Sequence, residues 1–215
     1  MLTMKFCRHV LLLSLLISCS SVAADPISTD SFEPLVREYA FRVNPMLNPS
    51  VQFKIEEFPI EDLWDTLHMQ IFSVRYMSGP DSESWFSEDL LIYLDDELVP
   101  FASAFGGFGL TSAVMSGEDL YFSYSWGSGM HRSHLGRISV TSRGIEILDS
   151  GGFIDFELFV DKDDAGLIVF DGGFEEFNSW TNPIEVGRVR STSSSIKLTD
   201  SLGEELEPDF TGSDW

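Results

Sequence analysis

Hydrophobic positions change their period several times along this chain, and each change marks an element. An apolar run, Val10 to Ile17, follows Lys5 and Arg8 and is too short to span a bilayer as a stable helix. Beyond it, Phe32, Leu35, Val36 and Tyr39 fall at the i, i+3, i+4, i+7 spacing of one helix face, with Asp30 or Ser31 placed to cap it. This predicts a helix over 31–42, with Pro34 tolerated in its first turn. Asn44-Pro45 and Asn48-Pro49 then impose a break. From Val51 the period becomes two, Val51, Phe53 and Ile55 against Gln52, Lys54 and Glu56, as on a half-buried strand. Ile60, Leu63, Trp64 and Leu67 predict a short second helix, followed by a strand over 68–77.

Strands dominate thereafter. Leu90 to Leu94 and Glu97 to Phe101 flank Asp95-Asp96 as a hairpin. Leu120, Phe122, Tyr124 and Trp126 alternate with Tyr121, Ser123 and Ser125; Ile138 and Val140 lead through Arg143-Gly144 into Ile145 to Leu148. Ile154, Phe156, Leu158 and Val160 read as one strand, which turns at 161–166 into Leu167 to Phe170. Sequential hairpins at this spacing predict a mainly β fold: an antiparallel meander, as a sandwich, an open barrel or propeller-like sheets, with one or two short N-terminal helices. An α+β arrangement is the alternative. The expected organisation is a signal over 1–18, a tether over 19–29, a single mainly β domain over 30–198 and an acidic tail over 199–215. Asp209, Thr211 and Ser213 before Trp215 lack the apolar alternation of a terminal outer-membrane barrel strand.

Charge narrows the function. Loss of the signal removes Lys5 and Arg8 but none of the 35 acids, leaving eleven cations and a net charge of about −24. Such a surface repels phosphates, so nucleic acid is excluded as a partner, whereas a basic protein or a divalent cation is favoured. An apolar fraction of 43 % with 18 Phe is that of a folded chain rather than a disordered one. The two cysteines are Cys7 and Cys19, so the domain beyond them has no thiol to pair and depends on its core.

The segment Leu16-Ile17-Ser18-Cys19 at the end of the apolar run resembles the lipobox of bacterial lipoproteins. The resemblance implies cleavage before Cys19, acylation of that cysteine and a protein anchored in the bilayer at the periplasmic face of an envelope membrane. Ser20, which is not the aspartate associated with inner-membrane retention, implies the outer membrane. Val22-Ala23-Ala24 before Asp25 offers an alternative cleavage at Ala24, giving a soluble periplasmic product.

Candidate chemistry concentrates in 123–136, where Trp126, Ser128, His131, Arg132 and His134 stand among glycines and serines. A loop between two strands is expected there. The stretch resembles a segment of secreted bacterial β-repeat proteins, some with calcium-binding propeller repeats, although Ser116-Gly117-Glu118-Asp119 stands where those repeats place Asp-x-Asp-Gly. His131 and His134 could hold a divalent metal with a carboxylate as third ligand. Ser128 lacks the G-x-S-x-G spacing of a nucleophile elbow. Asp161-Lys162-Asp163-Asp164-Ala165-Gly166 matches positions 1, 3 and 6 of an EF-hand, but position 12 is Gly172 where a bidentate Glu belongs, so a hairpin turn is expected. Asp155 and Glu157 fall on one strand face and could act as an acid/base pair. The leading reading is a non-catalytic interaction module, with no catalytic residue assigned. The alternatives are a metal-dependent enzyme centred on His131 and His134, and a calcium or ligand sensor.

Overall fold

The computed structural model describes residues 26, 28–77, 88–104, 109–127, 132–154, 156–172 and 183–209. Cys19, the signal, Ser128, His131 and Asp155 lie outside them. Three antiparallel meanders follow one another along the chain. The first is β1 (Gln52–Phe58), β2 (Gln70–Met77), β3 (Glu88–Leu94) and β4 (Glu97–Ala104); the second is β5 (Gly109–Ser116), β6 (Asp119–Trp126), β7 (Arg132–Thr141) and β8 (Gly144–Ile154). The third runs β9 (Leu158–Asp163), β10 (Gly166–Asp171), β11 (Ile184–Ser191), β12 (Ile196–Thr199) and β13 (Glu205–Leu206). All pairings are between sequence neighbours, and no described sheet closes into a barrel. Two helices precede or interrupt the first meander, α1 (Thr29–Val43) and α2 (Leu63–Leu67). Among the described residues the fold is thus mainly β, with two helices. No helix among the described residues is long and apolar enough to cross a membrane.

Alternation along the strands builds the layers. In the first sheet Phe72, Val74, Leu91 and Tyr93 turn one way, onto Phe32, Val36 and Tyr39 of α1. The Phe32 and Phe72 rings stack with centroids 3.7 Å apart. Ile71, Leu90 and Ile92 turn the other way, onto Leu120, Phe122, Tyr124 and Ile138 of the second sheet. That sheet's opposite face, through Tyr121, Leu135 and Phe153, meets Leu158, Val160, Val169, Ile196 and Leu198 of the third. The order is helix, sheet, sheet, sheet, and the second sheet is covered on both faces. Burying a side chain such as Leu90 or Ile138 contributes about 1.5–3 kcal/mol, so the two inter-sheet layers hold the stack together.

Between the second and third sheets the contact is partly polar. β9 lies at the edge of its sheet, and the backbone groups on its open side need partners. Small hydroxyl side chains on the second sheet supply them: Val160 N–H donates to Ser112 Oγ at 2.7 Å, Leu158 N–H to Ser133 Oγ at 3.1 Å, and Thr111 Oγ1 donates to the Leu158 carbonyl at 2.8 Å. Arg137 adds a second stitch, donating to Ser191 Oγ and the Thr192 carbonyl at 2.6 and 2.7 Å.

Several boundaries differ from the expected ones. Ile154 and Val160 do not share a strand, because β8 ends at Ile154 and the chain crosses to the third sheet before β9 begins at Leu158. The third sheet continues past 198: Thr199 closes β12, and Glu205–Leu206 pair with Leu198 and Thr199. Asp95 and Asp96, with φ of 51° and 65°, make the left-handed two-residue turn that suits a hairpin.

Candidate functional site

The segment expected as a loop is mostly strand. Ser123 to Trp126 belong to β6 and Arg132 to Gly136 to β7, paired Ser123 with Leu135 through Trp126 with Arg132. Its small residues make room for a neighbouring ring within the sheet and for bonds to the next layer. A Cβ on Gly136 would lie 2.1 Å from Cζ of Phe122. Ser125 and Ser133 are bonded to each other at 2.5 Å, and Ser133 donates to the Phe156 carbonyl at 2.6 Å. These serines face the third sheet, opposite to His134.

His134, only 4 % exposed, is stacked on Tyr124 with ring centroids 4.8 Å apart and an interplanar angle of 14°. Trp126 Nε1 donates to His134 Nε2 at 3.2 Å. Because an indole N–H can only donate, Nε2 carries the lone pair, and the imidazole proton sits on Nδ1. Nδ1 in turn donates to Asp149 Oδ1 at 3.0 Å. Tyr124 Oη donates to Asp149 Oδ2 at 2.9 Å, and the Gly151 N–H donates to Oδ1 at 2.7 Å. Arg132 lies over the Trp126 ring, 4.7 Å from its centroid, closing the outer side of the cluster.

A β-bulge brings Asp149 to this ring. Across β7 the register steps from His134 opposite Gly152 to Gly136 opposite Asp149, so β8 carries one extra residue. Gly151 takes φ of 85°, a conformation suited to glycine, and the Ser150 hydroxyl accepts the Leu135 N–H at 3.0 Å in place of a strand carbonyl. Burial pushes the Asp149 carboxyl up, but its bonds to His134, Gly151 and Tyr124 outweigh that and hold it below its ordinary range. Tyr124 moves the opposite way: burial, and then the Asp149 charge, raise its phenol.

A histidine oriented by an aspartate is the usual frame of a general base, but a base needs a free Nε2 facing its substrate. Here Nε2 accepts from Trp126 inside the cluster, and Nδ1 is engaged by Asp149. The arrangement positions three rings and a carboxylate, and leaves no imidazole nitrogen for a metal or a proton transfer. Of the five residues picked from the sequence, the structure brings Trp126, Arg132 and His134 together. Tyr124 and Asp149 complete the cluster; Asp149, 15 positions away, carried no local signal, and only the Ser150-Gly151-Gly152 run hinted at irregular strand geometry.

The acidic motif over 161–166 is the β9–β10 hairpin turn. Both Asp163 oxygens are taken by the Arg188 guanidinium, at 2.9 and 2.7 Å, and that fork holds the Asp163 carboxyl down to about 2. Glu157 sits beside Asp171; partial burial, and then the Asp171 charge, raise its carboxyl. Glu88 is a buried carboxylate on the first sheet, bonded by the Ser73 hydroxyl, with Arg75 Nε 3.3 Å from its Oε2. No group of three or more His, Cys, Asp or Glu able to hold a metal occurs among the described residues. No family model, curated protein or solved structure matches the chain.

Proposed function

We propose that the chain is an envelope lipoprotein, tethered through Cys19 at the periplasmic face of the outer membrane, whose folded domain is a non-catalytic binding module for a basic protein. The observation that carries this reading is how the chain uses its few cations. Arg37, Lys54, Arg75, Arg143, Arg188 and Lys197 each pair with a carboxylate of the same chain. Arg137 is committed to Ser191 and Thr192, and Lys162 Nζ to the Met115 carbonyl. The large excess of carboxylates is left without internal cations, and such a surface speeds and selects encounters with a positively charged partner. The bonding of both His134 nitrogens favours this reading over a metal-dependent enzyme built on that residue.

The test is mild crosslinking in intact envelopes followed by capture of the tagged, full-length protein. A single basic protein recovered at stoichiometric yield and released by salt is the expected result. Recovery of the protein alone would contradict the proposal. Labelled palmitate incorporated into the wild type and not into Cys19→Ser is expected for the anchor.

A further inference from the structure

An edge strand presents unpaired N–H and C=O groups, and proteins blunt such edges with charges, proline, bulges or cover. The edges of the three described sheets are blunted in this way at five places. β4 carries Pro100 and β1 carries Lys54, Glu56 and Glu57. β5 is bent by a bulge at Thr111, β9 is capped by the Ser112 and Ser133 hydroxyls, and β13 is two residues long. The sixth edge, the first half of β8, has only Glu146, and the Arg143 guanidinium lies 2.6 Å from that carboxylate. The bulge of β8 begins beyond it, at Asp149.

The β7–β8 hairpin decides which backbone groups face outwards. Ser142-Arg143 is a two-residue turn, so Thr141 and Gly144 close it as a hydrogen-bonded pair. Alternation then makes Ser139 with Glu146 and Arg137 with Leu148 hydrogen-bonded pairs, and turns the N–H and C=O of Ile145 and Ile147 away from β7. Among the described residues neither isoleucine takes another backbone partner. Ile147 is 36 % exposed and Val140, on the same face of β7, is 40 % exposed. The open edge is therefore apolar as well as unpaired.

We infer that this edge pairs with the same edge of a second copy of the chain, antiparallel about a two-fold axis at Ile147, joining two second sheets into one. Ile147 then lies opposite Ile147 of the second copy, Ile145 opposite its Asp149, and Glu146 opposite its Leu148. No like charges face each other across that seam. Charge favours a second copy here over a basic protein. The segment 143–149 sets one cation, Arg143, against two carboxylates, Glu146 and Asp149, and is nearly balanced in a strongly acidic chain. Asp149 takes its bonds from His134, Tyr124 and Gly151, and no lysine or arginine pairs with it among the described residues. In the pairing, the 82 % exposed Arg143 side chain of each copy comes within diagonal reach of the other's Asp149. The pairing does not depend on the binding-module reading.

The test is disulfide trapping of the full chain in detergent micelles, at about 300 mM NaCl to screen the repulsion between acidic copies. Wild type, whose two cysteines Cys7 and Cys19 precede the domain, is the blank. Facing residues of a hydrogen-bonded antiparallel pair have Cα atoms about 5.5 Å apart, within the about 4.4–6.8 Å that a disulfide spans. Ile147→Cys is therefore expected to give a covalent dimer on oxidation, and Glu118→Cys, at the distant β5–β6 turn, none above the blank. Glu146→Cys mixed with Leu148→Cys is expected to give a dimer that neither gives alone, which fixes the register. Ile145→Pro removes an outward N–H without touching the β7 ladder, and is expected to cut the Ile147→Cys dimer at least about tenfold. Circular dichroism establishes the fold of each variant, and if Ile145→Pro does not fold, the mixed pair decides. No dimer from Ile147→Cys, as much from Glu118→Cys, or a yield unmoved by folded Ile145→Pro would overturn the pairing.

Discussion

Replacing His134 by phenylalanine keeps an aromatic ring beside Tyr124 but deletes two hydrogen bonds, leaving the Trp126 N–H without its acceptor and Asp149 without one donor. Orphaned buried polar groups cost about 1–3 kcal/mol each. Urea unfolding of His134→Phe is therefore expected to show a loss of at least about 2 kcal/mol, and a variant as stable as wild type would contradict the cluster. The two perturbed carboxylates act on acid stability with opposite signs. Asp149 has its folded pKa below its ordinary 3.8, so its contribution is present above that value and is lost as pH falls through the folded pKa. Glu157 has its folded pKa above its ordinary 4.5, so its contribution is present below that value and is lost as pH rises through the folded pKa. Glu157→Gln is accordingly expected to raise stability at pH 7, and Asp149→Asn to lower it there while flattening the acid limb. Unfolding curves between pH 3 and 7 measure both.

Packing of the second sheet depends on its smallest residues. Gly136→Ala drives a methyl group into the Phe122 ring, and is expected to cost about 1–3 kcal/mol. Trimming the ring in Phe122→Leu should recover part of that loss in a double-mutant cycle, whereas additive losses would show that the two positions do not meet. Ser133→Ala removes the acceptor of the Leu158 N–H and is expected to cost about 1–2 kcal/mol. These elements also explain what could be read in advance. The helical stripe Phe32, Leu35, Val36, Tyr39 and the alternation of β1 were legible because each has one face in the core and one toward solvent. β5 was not, since five of the eight residues from Gly109 to Ser116 are small or polar, and the Thr111 and Ser112 hydroxyls serve β9 rather than water. For the same reason Ser123, Ser125, Ser133 and Gly136 read as loop residues although they lie in strands of the middle layer. The apolar beat from Ile154 to Val160 continues through the crossover between sheets, so periodicity concealed the break. In the candidate site the aromatic and basic members stood out locally, while Asp149 depended on a bulge set by tertiary pairing.

For the molecule as a whole, charge repulsion opposes compactness while the inter-sheet cores favour it. Screening should relieve that repulsion, so Tm is expected to rise between 20 and about 500 mM NaCl, as the Debye length shortens to a few ångströms. A Tm that falls with salt would mean that internal ion pairs outweigh the acidic excess. The same screening should weaken any partner held by charge, in contrast to a substrate turned over at His134. The most direct measurement is capture of the crosslinkable envelope partner by full-length wild type and His134→Gln, in low and high salt, with folding checked in parallel. Retention by both folded proteins at low salt, and release from both at high salt, is the result predicted for a charge-guided binding module. Salt-insensitive capture, or a complex lost specifically in folded His134→Gln, would contradict it.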